Sequence, residues 1–107
     1  MIKSMNVSSL KEKLDSGEKL ILVDCREQDE WDAGHIEGAI FIPLSEFGPR
    51  HGEFLNDKNT TVVMQCRSGR RSLNACQLLM AEGFEDLYNL EGGILDWEGN
   101  GFEVVKD

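Results

Sequence analysis

Thr61-Val62-Val63-Met64-Gln65-Cys66-Arg67-Ser68-Gly69-Arg70-Arg71-Ser72 passes from an apolar, β-branched run into a polar turn with three arginines and one glycine. A helical pattern follows from Leu73. Strand, tight turn and helix in that order aim backbone N–H groups and the positive end of a helix dipole into the turn. Cys66 stands at the mouth of this turn, where helix N-termini and arginines favour a thiolate. An ordinary thiol pKa of about 8.5 falls to about 3.5–7.5 in such settings. The helix end alone supplies about 0.3–1 kcal/mol, so arginines or direct N–H bonds to the sulfur must contribute as well. Cys66 could instead simply end a buried strand, a common place for free cysteine, but its neighbours argue against that.

Outward from this stretch the chain alternates strand and helix. Leu20-Ile21-Leu22-Val23 is apolar on both faces, as in a strand buried between helices of a parallel sheet, and it ends at Asp24-Cys25-Arg26. Ala39-Ile40-Phe41-Ile42 is a further apolar run stopped by Pro43, and Leu87-Tyr88-Asn89-Leu90 reads as a last inner strand. Residues 6–14 predict a short amphipathic helix, with Ser9 and Glu12 at capping-box spacing and Gly17 to end it. Residues 27–33 predict one or two helical turns with Trp31 as core anchor. Residues 44–59 are polar and loop-like, with Phe47, Phe54 and Leu55 as packing points. Leu73, Cys76 and Met80 fall at i, i+3 and i+7, beside Ala75 and Leu79, and predict an amphipathic helix that Gly83 ends. Gly92-Gly93 opens a last helix through Ile94 and Trp97.

Such alternation means an α/β fold with a mainly parallel sheet and right-handed crossovers. Ligands of these sheets gather at the carboxyl ends of the strands. Those ends are Asp24-Cys25-Arg26, Pro43, Cys66 and Glu91-Gly92, so the reactive thiol lies where the architecture expects a site.

The 107 residues suit one domain, over 1–107, and show no repeats or linkers. Eleven Lys+Arg against 20 Asp+Glu give a net charge of −9, which argues against nucleic acid and anionic membrane as partners. Three of the five arginines nonetheless cluster beside Cys66, a local cationic cup suited to small anions. Three cysteines without C-x-x-C or His/Cys spacing exclude a disulfide framework and a zinc site, and imply a reducing compartment. The first residues lack the apolar run of a signal peptide, and no stretch reaches membrane-span length, so cytoplasm and a soluble monomer are the expectations.

Three blocks then carry a family likeness. Leu22-Val23-Asp24-Cys25-Arg26-Glu27 with Glu30-Trp31-Asp32-Ala33-Gly34-His35-Ile36-Glu37-Gly38-Ala39-Ile40-Phe41-Ile42-Pro43 resembles the first half of a single-domain rhodanese, or thiosulfate sulfurtransferase. Cys66-Arg67-Ser68-Gly69-Arg70-Arg71-Ser72 resembles its active-site loop, and Leu90-Glu91-Gly92-Gly93-Ile94-Leu95-Asp96-Trp97 its closing motif. The resemblance implies a five-stranded sheet flanked by helices on both faces, with Cys66 carrying sulfur as a persulfide and no cofactor. Thiosulfate or another small anionic donor would supply that sulfur, and cyanide, a thiol or a protein would accept it. The N–H groups of residues 67–72 would cradle the persulfide, with Gly69 allowing the geometry and the Ser68 and Ser72 hydroxyls adding donors. Cys25 departs from the family, which more often has an aliphatic residue there, and Phe102-Glu103 replaces a common proline-containing ending.

Rival readings are a phosphatase, a non-enzymatic anion- or protein-binding module, and a thiol switch joining Cys25 to Cys66. Phosphatase chemistry favours Cys-(x)5-Arg with a bidentate arginine clamp; here that position is Ser72, and Arg71 comes one place early. Arg67, Arg70 and Arg71 all belong to the candidate binding loop, with Arg71 and Arg67 favoured to face inward. Asp24 and Arg26, two apart on an extended segment, point the same way and are expected to brace the site floor. His35 is expected to be a turn residue with satisfied hydrogen bonds, and Cys76, Trp31 and Trp97 to be core.

Overall fold

Val62-Val63-Met64 and Leu22-Val23 are covered on both faces, and the strands that carry them lie side by side in a five-stranded sheet. The computed structural model describes residues 1–106. In chain order the strands are β1 (Ile2–Met5), β2 (Ile21–Asp24), β3 (Ile40–Phe41), β4 (Val62–Gln65) and β5 (Leu87–Leu90). They pair all in parallel in the order β1-β5-β4-β2-β3. The helices are α1 (Val7–Asp15), α2 (Gln28–Ala33), α3 (Phe47–Arg50), α4 (Arg70–Ala81) and α5 (Gly93–Gly99).

Period-two alternation along the inner strands divides the core. Val23, Val62 and Met64 face a cluster with Phe47, Ala75, Cys76 and Leu79, the side covered by α3 and α4. Leu22 and Val63 face Val7, Leu10, Ile94 and Trp97, the side covered by α1 and α5. The sheet is thus flanked by helices on both faces, as the resemblance implied.

Four of the five strands are expected from the sequence; β1 is not. It is an edge strand with only Met5 buried, and Lys3 and Ser4 face solvent, so it lacks the apolar signal of its neighbours. Helix α1 lies where residues 6–14 predict it, but its cap is Asn6 and not Ser9: the Asn6 Oδ1 accepts the Ser9 N–H at 2.8 Å. The apolar stripe expected on α4 is also corrected. Leu73 and Met80 are 40% and 43% exposed, and the buried face is Ser72, Ala75, Cys76 and Leu79. The helix begins at Arg70, and its small side chains let it sit close on the sheet. Trp31 is half-buried, not a core anchor: it stacks on His35 at 3.5 Å between centroids and on Phe41 at 4.9 Å, forming a shelf at the sheet edge. Phe47 and Leu55 pack inside as expected, whereas Phe54 is exposed. Trp97 is buried, its Nε1 donating to the Glu103 carbonyl at 2.8 Å. His35 is buried, but it is a bridge residue and not a turn residue: paired backbone bonds join it to Val105, and the turn lies at 37–38.

Candidate active site

The carboxyl ends of β2, β4 and β5 meet around the sulfur of Cys66. Asp24 and Arg26 are both buried, and their side chains pair through three contacts: Nε to Oδ1 at 3.0 Å, Nε to Oδ2 at 3.1 Å and Nη2 to Oδ2 at 2.8 Å. Nη2 also donates to the Gly34 carbonyl at 2.7 Å. The pair ties the end of β2 to the turn after α2; it is a brace, with neither charge offered to a ligand.

Beyond β4 the chain folds back over its own cysteine. Two carbonyls of the loop point outward to the first turn of α5: Ile94 N–H donates to the Cys66 carbonyl at 3.0 Å and Leu95 N–H to that of Arg67 at 3.1 Å. Gln65 Nε2 holds the Cys66 carbonyl from another side at 2.9 Å. Fixing carbonyls outward turns amides inward. The Gly69 N–H donates to Cys66 Sγ at 3.1 Å, and the Ser72 N–H is also directed at the sulfur. Gly69 adopts φ +110°, the region where an L side chain is strained.

Gly93 is the second glycine with a defined task. A Cβ there would come within 2.4 Å of the Arg67 carbonyl oxygen, at φ +57°. Only a bare backbone lets α5 start against the loop. Gly93→Ala is expected to destabilise the fold by about 1–3 kcal/mol and to slow alkylation of Cys66 by displacing its amides. Urea denaturation and iodoacetamide kinetics measure the two effects.

Side chains complete the cradle. Ser72 Oγ lies 3.3 Å from Cys66 Sγ and 2.5 Å from Asn89 Oδ1. Asn89 Nδ2 donates to the Gly69 carbonyl at 3.0 Å, which fixes the amide's orientation and makes Oδ1 the acceptor facing Ser72. Cys25 is the third neighbour: its thiol hydrogen-bonds the Cys66 sulfur.

The electrostatic result is asymmetric. The Cys66 thiol is held well below its ordinary range, first by the hydrogen bond from Cys25, against burial, and then by the Ser72 and Gly69 amides. Cys25 is pushed up by the same bond and by burial, so it stays protonated beside the anion. Hydrogen bonds to a charged group contribute about 1.5–3 kcal/mol each, more than the about 0.3–1 kcal/mol of a helix end. Direct donors outweigh the dipole and the arginines. Cys76, by contrast, is pushed up to about 12 by burial and faces the Tyr88 carbonyl at 3.6 Å.

The structure corrects two expectations here. Cys66 is not at an open mouth: it is 1% exposed, because the loop wraps over the sulfur to which it donates. Nor do the arginines converge on it. Arg67 and Arg70 stand exposed on the rim with Ser68, while Arg71 is half-buried and bidentate on Glu30, with Nη1–Oε1 at 2.7 Å and Nη2–Oε2 at 2.8 Å. The anion among the cations is therefore one of the protein's own carboxylates.

Glu30 also accepts the Glu27 N–H at 3.0 Å, so it clamps the start of α2 to the start of α4. Arg71 holds its carboxyl down, from 4.5 to about 2. A depressed acid stabilises the fold above its unfolded pKa and loses that contribution as pH falls through the folded value. Glu30→Gln is thus expected to lower the denaturation midpoint at pH 6, with the gap from wild type closing between about pH 4.5 and 2.

Asn89 and Glu30 carry no sequence signal of their role beyond a polar residue within an apolar strand and an acid in a helix's first turn. Cys25 was visible as a departure from the rhodanese pattern that the sequence resembles. Among the described residues no group of His, Cys, Asp and Glu is arranged to hold a metal, and no helix is long and apolar enough to cross a membrane.

Comparison with known proteins places these features in company. A family model described as "Rhodanese-like domain" matches residues 6–100. A putative sulfurtransferase of Bacillus subtilis, YtwF, is 42% identical over 98 residues, covering 92% of either chain. A sulfurtransferase of Allochromatium vinosum is 36% identical over 105 residues, 98% of this chain and 96% of its own. The crystal structure of a rhodanese-like domain protein from Staphylococcus aureus superposes with a TM-score of 0.86 at 31% identity, covering 98% of each chain.

Proposed function

The chain belongs to the rhodanese-like domain family, and from that premise we propose that Cys66 carries sulfane sulfur as a persulfide between a small anionic donor and a thiophilic acceptor. Thiosulfate is the donor of choice for its charge and its terminal sulfur. The Cys66 thiolate attacks that outer sulfur, the S–S bond breaks, and its electron pair leaves with sulfite. The persulfide anion keeps the backbone donors that held the thiolate, the Gly69 and Ser72 amides. A second nucleophile, such as cyanide, a thiol or a protein thiolate, takes the terminal sulfur and returns Cys66 to the thiolate. This is covalent catalysis with preorganised electrostatic stabilisation and no partner base.

One observation carries the reading: the sulfur of Cys66 receives hydrogen bonds from loop amides and from Cys25, while among the described residues no base stands against it. Entry of the donor requires the exposed rim of the loop to give way over the covered sulfur, and the free guanidinium groups of Arg67 and Arg70 face an arriving dianion there. The two sulfurtransferase-named relatives, matched along nearly their whole length, support the same chemistry.

Phosphate-ester chemistry is the weaker alternative. A phosphoryl clamp needs a bidentate arginine, and Arg71, the nearest one, is occupied on Glu30. The two readings separate in one assay series. Thiosulfate with cyanide should yield sulfite and thiocyanate, and an aryl phosphate should release no phosphate above background. Phosphate release lost with Cys66→Ser would reverse the assignment.

A further inference from the structure

Cys25 and Cys66 sit opposite one another at the ends of adjacent parallel strands. The register pairs Asp24 with Gln65, and the ladder runs one step further through the Cys25 N–H to the Gln65 carbonyl at 2.9 Å. Alternation puts both side chains on the α4 face, in the cluster that holds Val23, Val62 and Met64. Neighbouring strands lie about 4.8 Å apart, inside the about 4.4–6.8 Å between Cα atoms that a disulfide spans. Both thiols are free and buried, and they are hydrogen-bonded to each other.

The arrangement differs on the two sides of the Cys66 sulfur. Cys25 approaches from the sheet; the Gly69 amide and the Ser72 hydroxyl approach from the loop. A sulfur delivered to Cys66 arrives through the loop and lies on that side. Cys25 is therefore left facing the inner sulfur of the resulting persulfide, not the outer one.

We propose that Cys25 is a resolving thiol that discharges the Cys66 persulfide as sulfide when no acceptor arrives. This rests on the persulfide reading given above. The Cys25 sulfur attacks Cys66 Sγ and forms the Cys25–Cys66 disulfide. The bond from Sγ to the outer sulfur breaks, and its electron pair leaves with that sulfur, which takes the Cys25 proton and departs as hydrosulfide. The two cysteine sulfurs are oxidised to a disulfide, and the sulfane sulfur is reduced to sulfide. A dithiol reductant restores both thiols for another cycle. Attack on the inner sulfur separates this outcome from onward transfer, which needs a nucleophile at the outer one. The proton held on Cys25 keeps discharge slow in the resting protein, and moving the negative charge outward by one sulfur removes the anion that holds it there. Cys76 cannot substitute, since its thiol is turned to the Tyr88 carbonyl.

The test loads wild type, Cys25→Val and Cys25→Ala with thiosulfate, removes the excess, and incubates them without acceptor or reductant. Valine suits this apolar position, so at least one variant keeps the fold. Wild type should lose its added sulfur, release a stoichiometric amount of sulfide, and show a linkage between the peptides holding Cys25 and Cys66. Both variants should hold the added sulfur for about tenfold longer or more, with no linkage. Equal lifetimes in all three proteins, or a linkage through Cys76, would overturn the resolving role and leave sulfur carriage standing. No uptake of sulfur in any of them, with no linkage in wild type, would overturn carriage and the discharge with it.

Discussion

Cys66→Ala is expected to reduce thiosulfate:cyanide transfer by about a thousandfold or more, to the uncatalysed level, with the fold intact by circular dichroism. The size of the loss follows from the site's construction. No second nucleophile faces the loop: Cys25 lies on the sheet side and is held protonated, and Cys76 is turned away. Cys66→Ser should lose as much, because a hydroxyl in the same cradle does not ionise near neutral pH. Residual activity within about tenfold of wild type in both variants would mean that the amides of residues 67–72 serve some other atom. The pH profile is a companion result. With Cys66 held well below the ordinary thiol range, its alkylation rate should stay flat from pH 8 to 6, whereas an ordinary thiol with a pKa of about 8.5 slows about 75-fold across that interval.

The second large effect concerns stability. Asp24→Ala leaves the Arg26 guanidinium buried with only the Gly34 carbonyl as partner. Breaking a buried pair by removing one side costs about 3–5 kcal/mol, and a domain near this size loses about 4–8 °C in Tm per kcal/mol. A fall of more than about 12 °C is therefore expected. Removing both charges together, in Asp24→Leu with Arg26→Met, should recover most of the loss, since apolar replacements of a buried pair are often neutral. A single-variant cost below about 1 kcal/mol would show that the brace is not what anchors the end of β2.

How much of this was legible in the sequence depends on what each residue had to signal. The inner strands were, because runs such as Val62-Val63-Met64 are apolar on both faces and nothing but a covered parallel strand accounts for them. The edge strand β1 was not, because half its residues face water and only Met5 is buried. On α4 the large apolar residues misled: Leu73 and Met80 are outside, while Ser72, Ala75 and Cys76 are inside, chosen for size and for the serine hydroxyl.

At the site, the identity of Cys66, the need for Gly69 and the bracing role of Asp24 and Arg26 could be read locally, since each follows from neighbours in the chain. The partners that set the chemistry could not. Glu30 reaches Arg71 across 41 positions, and Asn89 reaches Ser72 across 17. Local sequence left either arginines or direct N–H bonds to depress the Cys66 thiol; the amides do so, and tertiary structure adds Cys25. Composition cannot report which of several donors a sulfur meets.

Intact-mass measurement immediately after thiosulfate exposure, with peptide mapping, tests sulfur carriage most directly. Wild type should gain one sulfur atom, located on the peptide bearing Cys66 and removed by a thiol reductant, and Cys66→Ala should gain none. A wild-type chain that stays at its starting mass with all three cysteines still free, or one that takes up sulfur equally well without Cys66, would contradict it.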